Sequence, residues 1–216
     1  MRKLLLVLWV FVAGCAAQVT TMNVPNIERS SSVQVQDLRP ETEKEGEIFS
    51  LSISNDAYAI YRIADSALTP PATRLLQHRA FEKMGNSIGG PLGIKIHHFV
   101  IYRNRQAELK RGAIFAAFGG AVGAALAGET ANSLNGVSSS LLDGKVFESL
   151  AATEYKRALY TEQENPGRGS VYIVYIEAEI QGKRVFTRTV APFKEGEDSL
   201  TVALEESTKF YLSHYQ

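Results

Sequence analysis

Two β-rich runs near the C-terminus, Val171 to Ile180 and Lys183 to Val190, are separated only by Gln181-Gly182. Both are dense in β-branched and aromatic side chains. A two-residue connection ending in glycine suits the tight loops that match strand twist, so the pair predicts a β-hairpin. A hairpin is marginal in water on its own, and it needs further strands and a covering layer.

The rest of the chain supplies candidates for both. Val33 and Val35 alternate with Gln34 and Gln36 and predict a first strand ending at Arg39-Pro40, followed by a charged loop from Glu41 to Glu47. Phe49, Leu51 and Ile53 alternate with serines and predict a second strand, half-buried at most. Thr69-Pro70-Pro71 opens and Gly85 closes a helix over about 70–84, with Leu75, Leu76, Ala80, Phe81 and Met84 as its apolar residues. Ile94 to Arg103 is apolar on both alternating faces and predicts a central strand. Helical spacing returns between Asp143 and Tyr160, and Asn165-Pro166-Gly167 makes a turn. Asp198 then caps a terminal helix carrying Leu200, Leu204, Tyr211 and Tyr215 on about one face. The sum is an α+β domain with a mostly antiparallel sheet of four to six strands packed by helices.

Lys plus Arg number 23 and Asp plus Glu number 23, so no net field draws in nucleic acid. Cys15 is the one cysteine, which excludes an intrachain disulfide and a cysteine metal site. It follows Val12-Ala13-Gly14 at the end of an apolar run that starts at Leu4, just after Arg2 and Lys3. Such a run is too short for a stable spanning helix and has the layout of a signal peptide. Residues 1 to 15 resemble a bacterial lipoprotein precursor with its lipobox at Val12 to Cys15. The resemblance implies a signal peptide over 1–14, acyl chains such as palmitate on Cys15, and the membrane as a partner through that lipid. Ala16, where inner-membrane lipoproteins often carry Asp, implies sorting to the outer membrane. Residues 15–32, mostly small or polar around Pro25 and Ser30 to Ser32, read as a lipidated tether, and 33–216 as one domain.

Within that domain, Gly112, Ala116, Gly120, Ala124 and Gly128 repeat small residues at a spacing of four, between Lys110-Arg111 and Glu129. Ile114, Phe118, Val122 and Leu126 form a second ridge offset by two, so a helix over 112–128 has one nearly bare face opposite one bulky face. Five glycines cost such a helix roughly 0.8–1 kcal/mol each relative to alanine, and close small-xxx-small packing against another helix is the compensation. Seventeen helical residues span about 25 Å, short of a usual bilayer core but closer to the thinner outer membrane. The segment reads either as a membrane or self-association helix or as a buried, tightly packed helix of the domain. A lipid-anchored chain with early strands, this Gly/Ala-rich stretch and a closing strand pair plus helix resembles the surface-exclusion and complement-resistance lipoproteins of conjugative plasmids. Those proteins carry two hydrophobic segments where this chain has one.

No set of residues reads as a catalytic, cofactor or metal centre. Gly85-Asn86-Ser87-Ile88-Gly89 matches the G-x-S-x-G pattern of a serine hydrolase. Its context is inverted, with a helix before it and a strand after, although Asp198 and His214 follow in the order such enzymes use. Gly119 to Gly123 lacks the lysine of a phosphate-binding loop. His97 and His98 are expected on opposite faces of their strand, and His78 and His214 are isolated, which gives no metal site. Tyr172, Tyr175, Phe186, Phe193, Phe210, Tyr211 and Tyr215 fit a core shared by sheet and helix better than an aromatic groove. The expected function is a non-enzymatic envelope protein acting in structure, assembly or exclusion through protein contacts, with itself or an envelope partner. The alternative is a small-molecule or lipid-binding module with its pocket between sheet and helices, and the third reading is a hydrolase at Ser87.

Overall fold

The computed structural model describes residues 19–53, 57–85, 91–105, 108–109, 131–134, 136–151, 154–161, 163–166 and 169–215. Within these, the C-terminal hairpin pairs Val171 with Pro192 through Ile180 with Lys183 without a slip. Its loop residues Gln181 and Gly182 both have positive φ, 53° and 79°, which gives the loop the twist of the strands it joins. The strands, in chain order, are β1 (Thr20–Thr21), β2 (Gln34–Asp37), β3 (Glu47–Ile53), β4 (Ala57–Arg62), β5 (Leu68–Thr69), β6 (Gly93–Arg105), β7 (Glu108–Leu109), β8 (Ala131–Leu134), β9 (Val137–Leu141), β10 (Tyr160–Thr161), β11 (Val171–Ile180) and β12 (Lys183–Pro192). The helices are α1 (Glu41–Lys44), α2 (Ala72–Met84), α3 (Gly144–Ala151), α4 (Glu154–Arg157) and α5 (Ser199–Ser213).

The main sheet runs β3-β4-β6-β11-β12-β9-β8, with β2 parallel to β6. The fold is therefore α+β with a mostly antiparallel sheet, and its eight strands among the described residues exceed the four to six expected. Three of them, β4, β8 and β9, were missed in sequence. β4 has no clean alternation to announce it, and β9 is largely serine, although Val137 to Ser139 are buried and Ser139 and Thr189 share a hydrogen bond of 2.9 Å between hydroxyls. The charged loop expected after β2 contains the short helix α1, and the single helix expected over 143–160 is instead α3, α4 and the start of β10.

Helices cover both faces. Leu75, Leu76, Ala80 and Met84 of α2 pack with Leu200, Ala203, Leu204 and Tyr211 of α5 on one side. Val146, Phe147 and Leu150 of α3 pack on the other. The seven aromatic residues of the C-terminal third consequently do not share one core: Tyr172, Tyr211 and Tyr215 lie on the α2/α5 side, and Tyr175 and Phe186 on the α3 side.

The register of β6 shifts opposite Glu177 and Ala178, so that His98 faces Glu177 while Ile96 faces Ala178 and His97 is the extra residue. One inserted residue exchanges the two sides of a strand. Ile94 and Ile96 before the bulge lie with Phe99 and Ile101 after it in the α2/α5 core, whereas Val100 and Tyr102 lie in the other. His98 stacks on Phe147 at 5.3 Å, and the charged neighbours of His97 (Arg184, Glu179, His98 and Lys95) are on that same α3 side. The expectation that the two histidines oppose each other is thus corrected by the bulge.

The segment read as a tether packs on the domain from Thr20 onward. β1 pairs with β5, Met22 is buried, and a 3-10 helix over Ile27–Ser32 is held by Arg74, whose Nη2 donates to Ile27 O at 2.7 Å.

Candidate functional site

The register of the central strands aligns Tyr61 of β4, Arg103 of β6, Tyr172 of β11 and Ala191 of β12 in one row on the α2/α5 side of the sheet. Arg103 is the charged member. Its guanidinium carbon lies 4.4 Å from the centre of the Phe193 ring and 5.6 Å from that of Tyr172. A guanidinium stacks well on aromatic faces, since it is planar and weakly hydrated and the rings present negative charge to it. The Nε of Arg103 is buried without a hydrogen-bond partner, and no carboxylate forms an ion pair with this side chain among the described residues.

These residues line a cleft of about 590 Å³ at the start of α5, together with Tyr61, Thr20, Glu197 and Asp198, a volume in the range of small-molecule sites. Asp198 caps α5, accepting from Thr201 N at 3.2 Å, so the helix end is already partnered. Glu197 is exposed and lies 3.6 Å from the Lys194 ammonium. Burial raises the Tyr172 phenol; Arg103 opposes that rise, and Tyr61 and Asp198 add to it. The cleft therefore pairs a cation on an aromatic shelf with two carboxylates, Asp198 at the helix cap and Glu197 at the rim.

The α3 side holds a buried ionic cluster of a different kind. His98 Nδ1 meets Glu43 Oε1 at 2.6 Å, its Nε2 lies 3.5 Å from Glu177, and Arg157 donates to Glu43 at 2.8 Å. Arg184 pairs with Glu177, Arg62 with Glu154 and Glu47, and Tyr102 donates to Glu154 at 3.0 Å. Burial raises the Glu43 carboxyl, but His98 and Arg157 more than offset this and hold it below its ordinary value. Burial alone pushes Arg188 down to about 9, so it stays charged at neutral pH, with Glu164 as counter-ion and bonds to Tyr175 Oη and Leu159 O at 2.8 and 2.6 Å. Among the described residues no hydroxyl or thiol joins His98. The arrangement ties α1 and α4 to β6 and β11 and presents no nucleophile to the imidazole.

Cys15, the small residues Gly112, Ala116, Gly120, Ala124 and Gly128, and Ser87 all lie outside the described residues. Asp198 and His214, the partners considered for Ser87, stand at opposite ends of α5, about 24 Å apart at 1.5 Å per residue. They do not meet in one triad. His78 is buried with neither ring nitrogen hydrogen-bonded and Glu82 3.4 Å away. His214 packs on Phe210, and burial together with Lys183 and Lys83 lowers it.

Sequence reading missed Arg103. The available signal was a charge two positions after Ile101, directly after the apolar run Phe99 to Tyr102. Among the described residues no helix is long and apolar enough to cross a membrane. Comparisons with protein-family models, curated proteins and solved structures found no match for this chain.

Proposed function

We propose that this chain is a lipid-anchored protein of the bacterial envelope, held at the outer membrane by acylated Cys15 and acting through protein contacts rather than by catalysis. The observation that carries the reading is the order of the first fifteen residues: Arg2-Lys3, the apolar run from Leu4, then Val12-Ala13-Gly14-Cys15. Two features support it. The histidine with the most elaborate surroundings, His98, is engaged by carboxylates that bind elements together, and the glycine ridge of 112–128 has the spacing for helix-to-helix contact.

The anchor is tested by growing cells with a fatty-acid analogue: the wild-type chain takes the label and Cys15→Ser does not. Labelling of Cys15→Ser refutes the anchor. The contact role is tested by complex size after gentle detergent extraction. Gly120→Leu fills the bare ridge and gives a smaller species, whereas Val122→Leu on the bulky ridge leaves the size unchanged. Equal sizes for all three chains refute the zipper.

A further inference from the structure

We propose that the Arg103 cleft binds the headgroup of an ethanolamine phospholipid, with the phosphate on Arg103 and the ammonium at Glu197. Arg39, Arg62, Arg79, Arg157, Arg184 and Arg188 each face a carboxylate. Arg103, half-buried, instead faces two aromatic rings, and like Arg157 it keeps a buried Nε without a partner. Polar groups in folded proteins are nearly always hydrogen-bonded, and Arg103 lines the cleft with no carboxylate beside it among the described residues, so its guanidinium is the cation that a ligand acceptor entering the cleft meets. The planar, fork-shaped guanidinium is matched to phosphate oxygens, and stacking on Phe193 and Tyr172 fixes its plane before anything binds.

Two further features narrow the class. A bare phosphate on Arg103 would meet the repulsion of two carboxylates that line the cleft, Asp198 and Glu197, the latter partly neutralised by Lys194 at 3.6 Å. A ligand with an ammonium group a few atoms from its phosphate satisfies both charges. The source follows from the chain itself, and this step rests on the lipid anchor proposed above. Thr20 lines the cleft and Cys15 is five residues before it, so even a fully extended connection keeps the cleft within about 18 Å of the acylated residue. Membrane headgroups are then the phosphate esters at highest local concentration.

The experiment uses the purified full chain in a non-ionic detergent, titrated calorimetrically with dihexanoyl phosphatidylethanolamine, dihexanoyl phosphatidylglycerol, free phosphoethanolamine and inorganic phosphate. The wild type binds the ethanolamine lipid at least tenfold more tightly than inorganic phosphate. Arg103→Lys, which keeps the charge but loses the fork and the stack, and Arg103→Ala each weaken it tenfold or more. Glu197→Gln lowers affinity for the ethanolamine lipid and leaves phosphatidylglycerol unchanged or tighter. Free phosphoethanolamine bound as tightly as the lipid keeps the site and makes its ligand a soluble ester. The proposal is overturned when the wild type binds none of the four, or when both Arg103→Lys and Glu197→Gln bind as the wild type does. Should Arg103→Ala fail to fold, those two variants decide. Fatty-acid labelling of the same preparations separates the two ideas: Arg103-dependent binding without a label removes the anchor and keeps the site, and a label without such binding does the reverse.

Discussion

Arg39 offers the sharpest test of how this sheet holds together. One edge of β6 is shared by two strands: β2 pairs with Gly93 to Ile96 and β4 with Tyr102 to Arg105. Between them the backbone ladder ends at Leu38 N to Ile96 O, 2.8 Å, and resumes at Ile63 N to Ile101 O, 2.9 Å. The Arg39 guanidinium fills the gap, donating from Nη1 to Phe99 O at 3.1 Å while it pairs with Asp37 at 2.9 Å and Asp65 at 2.6 Å. Arg39→Met keeps the stem and removes all three interactions. A buried carbonyl stripped of its donor costs about 1–3 kcal/mol. The two aspartates are 32% and 28% exposed, so water takes up much of the lost pairing and each adds about 0.5–1 kcal/mol. The expected loss is about 3 kcal/mol, read by urea unfolding of the purified chain at neutral pH. Arg39→Lys, which cannot reach three acceptors in one plane, loses about 2 kcal/mol by the same reasoning. Burial raises Asp37 but its bonds to Arg39 lower it further, so this contribution is full above the ordinary aspartate range and vanishes as pH falls through the depressed value. A loss under 0.5 kcal/mol in Arg39→Met, or the same loss at pH 7 and pH 2.5, refutes the account.

The other predictions concern the second core, the central cluster and the hairpin. Phe147→Ala removes a buried ring that contacts His98, Tyr175 and Phe186 and costs about 3–5 kcal/mol in urea unfolding; a value near zero means that α3 does not pack on the sheet. Glu43→Gln leaves Arg157 without its buried counter-ion and costs about 3 kcal/mol at pH 7. Because the Glu43 carboxyl is held low, the gap between the two proteins narrows as pH drops below about 4.5, and a gap that widens in acid contradicts the assignment. Gly182→Ala costs about 1 kcal/mol through its positive φ alone, since no atom lies within 4 Å of the added methyl. Gly93→Ala, equally open and without positive φ, is neutral or slightly stabilising, and equal effects at both sites would show that φ is not the cause.

The parts legible in sequence are those where local chemistry and tertiary position agree. Gln181-Gly182 dictates its own turn, and Asp198 caps α5 with the carboxylate that makes it a preferred cap residue. α2 stops at Gly85, where an added Cβ would lie 2.6 Å from Phe81 O. What stayed hidden was set by partners distant in sequence. β9 is a strand because β12 and a buried Thr189 hydroxyl receive its serines, not because its residues favour extension. Glu43 looked like one more charge in a charged loop, yet it is buried because His98 and Arg157, 55 and 114 residues away, neutralise it. Arg103 is followed by Asn104 and Arg105 and looks like the polar end of its strand, and only its partners Tyr172 and Phe193, 69 and 90 residues away, set it on the aromatic shelf.

The bulge at His97 connects these observations. Before it, Ile94 and Ile96 face α2 and α5; after it that side is taken by Phe99, Ile101 and Arg103. In an unbroken strand the alternation set by Ile94 and Ile96 would place His98, Val100 and Tyr102 on the α2/α5 side and turn Arg103 to the other. There it would lie beside the Glu154 carboxylate that Tyr102 and Arg62 now engage, and it would become one more neutralised arginine of that cluster. The inserted residue instead places His98 between Glu43 and Glu177 and Arg103 on the aromatic shelf. A single extra residue in the central strand thus gives one face of the sheet an internally compensated set of charges and leaves the other with a stacked cation free to meet an anion from outside.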